Sequence, residues 1–292
     1  MDVEAASVLF AETQARAGRP PVAGFPLPTP PYVPGNGVGG VISAVGPHVD
    51  PALLGQRVIA PTGGTGGYAQ KAVAAAGQVI PIPAAVSTTD AVALLDDGRT
   101  AVGMFRLVAP KPDEWVLVEA AAGGLGSLLV QLGVSVGAKV IGAVGSDAKL
   151  SAVRAAGAQA VNYAQSGWTE RVRDLTGGAA VDVVFDGVGG EIGAAATSLV
   201  EPGGRFVVHG AASGGYTDPS AVAARGVTVI GLPQMMGELG PIMHELGAAT
   251  LEEAAAGRLR PVVGQTFPLE RAADAHAAME ARTAIGKTLL LM

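Results

Sequence analysis

The pattern of hydrophobic and polar positions changes at Glu114. From there to residue 232, apolar runs of four to six residues alternate with segments whose apolar residues recur at the helical period. The runs predicted as strands are Trp115–Ala120, Lys139–Val144, Ala160–Tyr163, Val181–Phe185, Gly204–His209 and Val227–Leu232. The helices predicted between them are Gly126–Val136, Ala148–Ala156, Trp168–Thr176 and Gly190–Leu199. This alternation predicts an α/β fold with a doubly wound parallel sheet.

The flanking regions have a mixed pattern. Upstream, Pro- and Gly-rich turns separate short apolar runs predicted as strands at Gly37–Val45, Arg57–Ala60 and Gly67–Val73, with helical patterns at Phe10–Ala17 and Asp90–Leu107. Downstream, the pattern predicts a helix over Gly237–Ala256, a strand over Val262–Phe267 and a helix over Leu269–Arg282. We therefore expect irregular, β-rich structure on both sides of the parallel sheet.

One uncharged stretch is long enough to suggest a membrane span. Ala120–Ala138 carries no charged residue, and its length meets the requirement for a spanning helix. However, glycines interrupt this stretch and it follows a predicted strand. A strand, a glycine turn and a buried helix produce the same hydropathy, and we favour that interpretation.

The turn at Ala121-Ala122-Gly123-Gly124-Leu125-Gly126 follows a predicted strand and opens a predicted helix. A helix N-terminus offers free N–H groups and a positive dipole to a pyrophosphate, and glycines allow the backbone to approach it closely. Ala121 stands at the first glycine of the dinucleotide fingerprint G-x-G-x-x-G, so the position of the turn carries more weight than the motif itself. The alternative is a tight turn needed only for packing.

The end of the second predicted strand favours NADPH over NADH. NAD sites usually place a carboxylate there to bind the ribose 2′-hydroxyl, whereas this strand ends in Gly145-Ser146. Lys149 follows within reach of a 2′-phosphate, and Tyr163 ends the next strand beside it. Asp147 is either a helix N-cap or a repulsive neighbour of the phosphate, and we favour the cap. The alternative for Lys149 is a solvated surface lysine.

Composition excludes several classes of protein. The chain has 292 residues, 19 basic and 25 acidic, giving a formal net charge of −6 without a cationic cluster that would bind nucleic acid. Apolar residues make up 49% and charged residues 15%, which predicts a sizeable core rather than disorder. The absence of cysteine excludes disulfides, thiolate catalysis and Cys-ligated zinc. Because no signal-peptide pattern opens the sequence, we expect a cytoplasmic protein.

Several motifs together resemble the medium-chain dehydrogenase/reductase superfamily, most closely its zinc-free quinone oxidoreductase (zeta-crystallin-like) branch. They are Ala120–Leu132, Gly55-Gln56-Arg57-Val58, Gly66-Gly67-Tyr68-Ala69-Gln70, Asn162-Tyr163, Asp182–Gly190, Gly203-Gly204-Arg205-Phe206, Ala275-His276 and Gly286-Lys287. The resemblance implies a Rossmann domain inserted in a GroES-like β-rich catalytic domain. The expected divisions are residues 1–97 for the first part of the catalytic domain, 98–240 for the NADPH-binding domain, and 241–292 for the return to the catalytic domain.

The resemblance also implies a function and a set of cofactor contacts. Members of this branch use NADPH to deliver hydride to quinones or α,β-unsaturated carbonyls, and usually dimerise through the last Rossmann strand, here Val227–Leu232. The residues expected to bind NADPH are Thr100, Gly123, Gly124, Leu125, Gly126, Gly145, Ser146, Lys149, Tyr163, Gly190, Gly210 and Ala211. Among these, Gly190, Gly210 and Ala211 fall near the nicotinamide half, and Thr100 falls where the family has a cleft threonine.

Three departures from the family pattern affect the expected chemistry. Zinc-dependent relatives carry Gly-His-Glu where this chain has Gly35-Asn36-Gly37, and its four histidines show no metal-ligand spacing. We therefore expect no metal, and we interpret the histidines as ordinary surface or helix residues. Leu9 and Gln14 replace the Asn and Tyr of the family's substrate cleft. The family also extends further upstream of Val3, so we expect the first strand to lack an inner partner.

The leading hypothesis is an NADPH-dependent, metal-independent reductase of a small, apolar, electron-poor substrate. Hydride transfer to a flat substrate stacked on the nicotinamide requires few catalytic side chains, which is consistent with the absence of an obvious acid–base pair in the sequence. Asp96-Asp97 and Asp186 are more simply explained by the ends of a helix and a strand, so the catalytic residues stay unassigned. The alternatives are a non-catalytic NADPH-binding protein, either a sensor or crystallin-like, and an enoyl reductase of acyl-chain synthesis.

Overall fold

The computed structural model of the chain describes residues 1–20 and 26–292. Its strands are β1 (Asp2–Val8), β2 (Gly37–Val41), β3 (Arg57–Pro61), β4 (Ile80–Pro81), β5 (Trp115–Glu119), β6 (Lys139–Val144), β7 (Gln159–Asn162), β8 (Val181–Asp186), β9 (Val200–Val208), β10 (Thr228–Ile230), β11 (Val263–Pro268) and β12 (Lys287–Leu291).

The α-helices are α1 (Phe10–Arg16), α2 (Thr88–Leu95), α3 (Asp97–Val108), α4 (Gly124–Ser135), α5 (Leu150–Ala155), α6 (Trp168–Leu175), α7 (Gly190–Ala196), α8 (Ser220–Ala223), α9 (Leu232–Leu239), α10 (Met243–Ala255) and α11 (Ala272–Glu280). Short 3₁₀ helices cover Pro51–Leu53, Ala76–Gln78, Asp147–Lys149, Gly240–Ile242 and Leu269–Arg271. The chain divides into two compact units, Met1–Arg99 with His244–Met292, and Thr100–Met243. The divisions predicted from sequence lie after residues 97 and 240.

The second unit contains the predicted parallel sheet, in the order β10-β9-β8-β5-β6-β7. Its central strands are buried along most of their length, which explains why they read as continuous apolar runs rather than alternating ones. Its core contains fully buried side chains, among them Leu117, Ile141, Val184 and Phe206. The expectation of a doubly wound α/β sheet is confirmed.

The first unit contains a mixed sheet in the order β11-β12-β1-β2-β3-β4. Here β1 lies in the middle of the sheet: Asp2 pairs with Val41 on one side, and Ala5 pairs with Leu291 on the other. The expectation that β1 lacks an inner partner is wrong. The C-terminal strand β12, which the sequence pattern did not single out, supplies the second ladder.

Several element boundaries differ from those predicted. Gly67–Val73 is not a strand, because its pairing with β1 reduces to an isolated bridge between Asp2 and Lys71. The helix predicted over Gly237–Ala256 is divided between α9, a 3₁₀ turn and α10. Pro241 lies at this division, and proline removes a helical N–H and clashes with the preceding turn. The helix predicted over Asp90–Leu107 is likewise two helices, α2 and α3.

The uncharged Ala120–Ala138 stretch comprises the turn after β5, then α4, then the approach to β6. Across residues 1–20 and 26–292, no helix has the length and apolar character required to cross a membrane.

Candidate functional site

The predicted cofactor turns follow the carboxyl ends of the central strands of the second unit. Strands β5, β6 and β7 extend the sheet in one direction, and β8, β9 and β10 extend it in the other. The direction therefore reverses between β5 and β8, and open α/β sheets bind ligands at this reversal, beyond the carboxyl ends of the strands. The turns after β5, β6, β8 and β9 surround this point.

The turn after β5 has the form needed to approach an anion. Gly123 is the extended N-cap of α4, and its N–H donates to the Ala120 carbonyl at 2.9 Å. A Cβ at Gly126 would overlap the Ala120 carbonyl oxygen and lie 2.9 Å from its carbon, so the close contact of helix and strand requires glycine there. Gly124, Leu125 and Gly126 form the first helical turn, whose N–H groups have no partner inside the helix.

The turn after β6 brings together the residues predicted to bind a 2′-phosphate. Ser146 is the N-cap of the 3₁₀ helix that ends at Lys149, and the Lys149 N–H donates to the Ser146 carbonyl at 3.1 Å. Tyr163 follows β7, and its N–H donates to the Val144 carbonyl at 2.9 Å. The Tyr163 hydroxyl lies 2.9 Å from the position of a Cβ at Gly145, so the ring covers this turn.

The expectation that Asp147 is a helix N-cap is wrong, because Ser146 occupies that position. Its carboxylate accepts hydrogen bonds from Asn162 Nδ2 and Gln165 Nε2, both at 2.9 Å. The Asp147 carboxylate therefore ties the turn after β6 to the end of β7 and the segment that follows it. Its donors are these two side-chain amides rather than the N–H groups of its own helix.

The turns after β8 and β9 pack against each other. The Gly190 N–H donates to the Gly215 carbonyl at 3.0 Å, and a Cβ at Gly210 would lie 2.8 Å from the Cα of Gly187. The Ala211 carbonyl accepts from the Gly214 N–H at 2.9 Å within the second of these turns. Gly190 and Gly210 thus belong to one double turn. Thr100, by contrast, lies half-buried in the first turn of α3.

A carboxyl pair lies beneath these turns. The register of β5 and β8 places Val118 opposite Phe185, so the next residues, Glu119 and Asp186, are side by side and 0% exposed. Asp186 Oδ1 accepts from the N–H groups of Val188 and Gly189 at 3.1 and 2.7 Å, and Glu119 Oε2 accepts from Val188 at 3.2 Å. The pair therefore holds the start of the turn after β8.

Burial and the neighbouring charge favour the protonated form of Glu119. Burial raises the pKa of Glu119 well above its usual value, and the adjacent Asp186 raises it further. Glu119 Oε1 and Asp186 Oδ2 are both buried without an N–H or hydroxyl donor. Asp186 is indeed a strand-end carboxylate, but its pairing with Glu119 depends on sheet order and was missed.

Of the histidines, interpreted from the sequence as ordinary surface or helix residues, His209 departs from that interpretation, and His276 lies on a helix but is buried. His209 follows β9; its Nε2 is buried without a partner, and burial lowers the pKa of its imidazole to about 4. His276, on α11, is 3% exposed and lies 3.0 Å from the Tyr68 hydroxyl. His48, in contrast, is exposed on a turn.

The first unit contains a cavity of about 320 Å³ with a mainly apolar wall. The residues lining it are Leu9, Ala11, Glu12, Ala15, Pro28, Tyr32, Pro34, Gly35, Asn36 and Gly64. Leu9, at a family cleft position, therefore lines this cavity, whereas the Gln14 amide donates to Thr13 Oγ1 and accepts from Arg19.

The residues at the family's zinc position do not fit a zinc ion. The Asn36 side chain donates to Asp96 Oδ1 at 3.4 Å and accepts from the Gly64 N–H at 2.8 Å. Within the described residues, no cluster of three or more His, Asp or Glu side chains could hold a metal, and the sequence contains no cysteine.

Comparison with known proteins identifies the family. Residues 1–84 match the model of the alcohol dehydrogenase GroES-like domain, and residues 156–290 match that of the zinc-binding dehydrogenases. The chain is 33% identical to a 2-haloacrylate reductase of Burkholderia sp. over 98% of this chain and 88% of that protein. It is 31% identical to quinone oxidoreductase 1 of Escherichia coli, over 99% of this chain and 89% of that protein.

Solved structures give the same result. The Escherichia coli quinone oxidoreductase complexed with NADPH matches with a TM-score of 0.89 at 30% identity, covering 100% of this chain and 90% of that one. The mycobacterial protein Rv1454c, also complexed with NADPH, matches with a TM-score of 0.88 at 31% identity and the same coverage. The fold and turns define a dinucleotide-binding oxidoreductase with a GroES-like domain. The chain belongs to the medium-chain dehydrogenase/reductase superfamily, in its zeta-crystallin-like quinone oxidoreductase branch.

Proposed function

We propose that this chain is an NADPH-dependent oxidoreductase that transfers hydride to a quinone or an α,β-unsaturated carbonyl. The main support is the set of glycine turns at the carboxyl edge of the second unit's sheet, together with the overall fold that the chain shares with relatives solved with NADPH. The names of the relatives, quinone oxidoreductase and 2-haloacrylate reductase, both describe reduction of an electron-poor conjugated system.

Each cofactor group has a proposed set of contacts. The turn Gly123–Gly126 binds the pyrophosphate because the N–H groups of Gly124, Leu125 and Gly126 have no partner inside the helix and Gly126 admits close approach. Gly145, Ser146, Lys149 and Tyr163 bind the adenosine end. Lys149 supplies the positive charge for the 2′-phosphate, and no carboxylate occupies the tip of β6. Gly190, Gly210 and Ala211 contact the nicotinamide half, and Thr100 contacts the cofactor from the position of the family's cleft threonine.

The protein's part in the reaction is mainly binding and water exclusion. The bound cofactor supplies the hydride, and apolar walls hold a flat acceptor. We propose that no metal takes part, because Asn36 is committed to Asp96 and Gly64 and the described residues offer no ligand cluster.

We extend the proposal to domain roles and assembly. Residues 98–240 bind NADPH, and residues 1–97 and 241–292 contact the substrate. The protein works in the cytoplasm as a homodimer joined through β10, which is an edge strand of the parallel sheet. Its partner in the reaction is a small, apolar, electron-poor molecule, with no role for nucleic acid or membrane.

The test is turnover. Purified protein with NADPH is offered a panel of quinones, enones, 2-haloacrylates and acyl-carrier-linked enoyl groups while nicotinamide absorbance is followed. Consumption of NADPH with a quinone or enone supports the proposal. Consumption only with the carrier-linked enoyl group favours an enoyl reductase, and tight NADPH binding without turnover favours a non-catalytic binder.

A further inference from the structure

Glu12 is the one carboxyl group among the described residues that line the cavity of the first unit. It lies in the first turn of α1, and the wall around it is otherwise mainly apolar, with the Asn36 amide and the Tyr32 phenol as neighbours. An acidic group beside an apolar cavity is costly as an anion. Glu12 also closes the first turn of α1, where its side chain accepts from the Leu9 N–H.

The hydrogen bonds of Glu12 leave one acceptor position open. Oε1 accepts from the Asn36 N–H at 2.9 Å. Oε2 accepts from the Leu9 N–H and from the Tyr68 hydroxyl, both at 2.9 Å. A carboxylate has about four lone-pair positions, two on each oxygen. Three are occupied, so a proton added to Glu12 binds Oε1.

Tyr68 and His276 fix the orientation of this carboxyl. Because the Tyr68 hydroxyl donates its proton to Glu12, the His276 contact at 3.0 Å requires His276 Nε2 to donate to Tyr68. Tyr68 is 9% exposed and His276 3% exposed. These buried hydrogen bonds occupy both acceptor positions of Oε2 and leave one position of Oε1 open, on a residue that lines the cavity.

The charges around Glu12 favour its protonated form. Burial raises the pKa of Glu12, and the negative charge of Asp96 raises it further, while the three hydrogen bonds act against this rise. Other titratable or charged groups face the hydrogen bonds between Glu12, Tyr68 and His276 from neighbouring elements. They are Arg99, paired with Asp96 at 2.7 Å; Arg16 and Glu280, paired with each other at 2.8 Å beside His276; and the phenol of Tyr32, which lines the same cavity.

From this geometry we infer that Glu12 is the catalytic acid, and that it donates the Oε1 proton to a substrate oxygen or carbon in the cavity. The inference rests on the proposed reductase function. Hydride addition to an enone moves the C=C electron pair into an enolate, and the enolate takes the proton from Glu12. With a quinone, hydride addition gives a hydroquinone anion, whose oxygen takes the same proton. Glu12 becomes a carboxylate and regains a proton from solvent after the product leaves.

The substitution Glu12→Gln tests the inference, with the exposed Glu4→Gln on β1 as the matched control. We expect Glu12→Gln to lower kcat by about 10²-fold, the range of a general acid, and to leave the Kd for NADPH unchanged. A readout independent of turnover is the binding of 1,4-naphthoquinone without cofactor, measured by calorimetry at pH 5 and pH 9. The quinone oxygen accepts from protonated Glu12, so wild-type protein binds it about tenfold more tightly at pH 5, and Glu12→Gln loses this difference.

The positioning residue Tyr68 provides a second variant should Glu12→Gln not fold. Tyr68→Phe keeps the ring and removes a hydrogen bond that lowers the pKa of Glu12. Glu12 then stays protonated to higher pH, so the alkaline limb of the kcat profile moves to higher pH, which a purely structural role would not produce.

The outcomes separate the two claims. The role of Glu12 is contradicted if Glu12→Gln has the same kcat as Glu4→Gln. It is also contradicted if Tyr68→Phe leaves the alkaline limb of the kcat profile at the wild-type pH. Either result leaves the reductase function intact. Absence of turnover by wild-type protein with every acceptor contradicts the reductase function and the acid role together.

Discussion

Glu119 and Asp186 are buried side by side on the two parallel strands at the centre of the second unit's sheet, and burial with the adjacent Asp186 raises the pKa of Glu119 well above its usual value. Their backbone acceptor bonds fix Val188 and Gly189, the first residues of a turn proposed to face the nicotinamide. A carboxyl pair of this kind makes the stability of a cofactor turn depend on pH, because the pair tolerates one negative charge far better than two.

The first prediction concerns the alkaline side of the stability profile. The folded state holds the Glu119 proton at pH values where the unfolded chain, with a pKa near 4.5, has lost it. The stability that this proton contributes to the folded state is therefore complete below pH 4.5, and it is lost as pH rises through the raised pKa of folded Glu119. Glu119→Gln can still donate to Asp186 and accept from Val188, so we expect it to lose less stability than wild type between pH 5 and pH 9 in urea unfolding. The exposed Glu191→Gln on α7 should behave as wild type, and identical pH slopes for all three proteins would contradict the raised pKa of Glu119.

The second prediction concerns acid. Burial lowers the pKa of folded His209 to about 4, whereas the unfolded imidazole titrates near 6.5. The unfolded chain therefore binds more protons between these values, and stability falls as pH drops from 6.5 to 4. We expect His209→Gln to reduce this loss, measured as the free energy of unfolding at pH 7 and pH 4.5, and the exposed His48→Gln to leave it unchanged. Equal acid sensitivity in His209→Gln would show that this histidine titrates normally.

The third prediction compares two helical glycines. A Cβ at Gly126 overlaps the Ala120 carbonyl, so Gly126→Ala should destabilise the second unit by about 1–3 kcal/mol and weaken NADPH binding. A Cβ at Gly237, in α9, meets no atom within 4 Å, so Gly237→Ala should stabilise by about 0.5–1 kcal/mol through helix propensity. Unfolding in urea gives both values. A Gly126→Ala variant as stable as Gly237→Ala, with intact NADPH binding, would contradict the close approach at this turn.

The fourth prediction concerns cofactor selectivity. Lys149→Ala should cost about 1.5–3 kcal/mol of NADPH binding, roughly tenfold to a hundredfold in Kd, through loss of a charge-assisted contact. NADH lacks the 2′-phosphate, so its Kd should hardly change. The exposed Lys111→Ala serves as the control for loss of one positive charge. Equal weakening of both nucleotides by Lys149→Ala would place the lysine away from the 2′-phosphate.

The elements of the second unit were predictable because their signals are local. Each buried strand is a continuous apolar run, and each predicted cofactor turn follows directly after one, as Gly123–Gly126 follows β5. The resemblance to a known family added Thr100, Gly190, Gly210 and Ala211, which local patterns do not mark as ligand contacts.

The polar clusters were not predictable, because they depend on which strands become neighbours. Glu119 meets Asp186 only because β5 pairs with β8 as well as with β6, the next strand along the chain. Tyr68 and His276 are separated by 208 residues and meet through the packing of α11 on the first unit's sheet. The double pairing of β1 likewise depends on β12, whose sequence at the far end of the chain gives no indication of its partner.

The most direct test of the central claim is a titration of this 292-residue chain with NADPH and then NADH, following nicotinamide fluorescence. We expect saturable NADPH binding that is clearly tighter than NADH binding, because the turn after β6 carries Lys149 and no carboxylate at the strand end. Folded protein that binds neither nucleotide, or that prefers NADH, would contradict it.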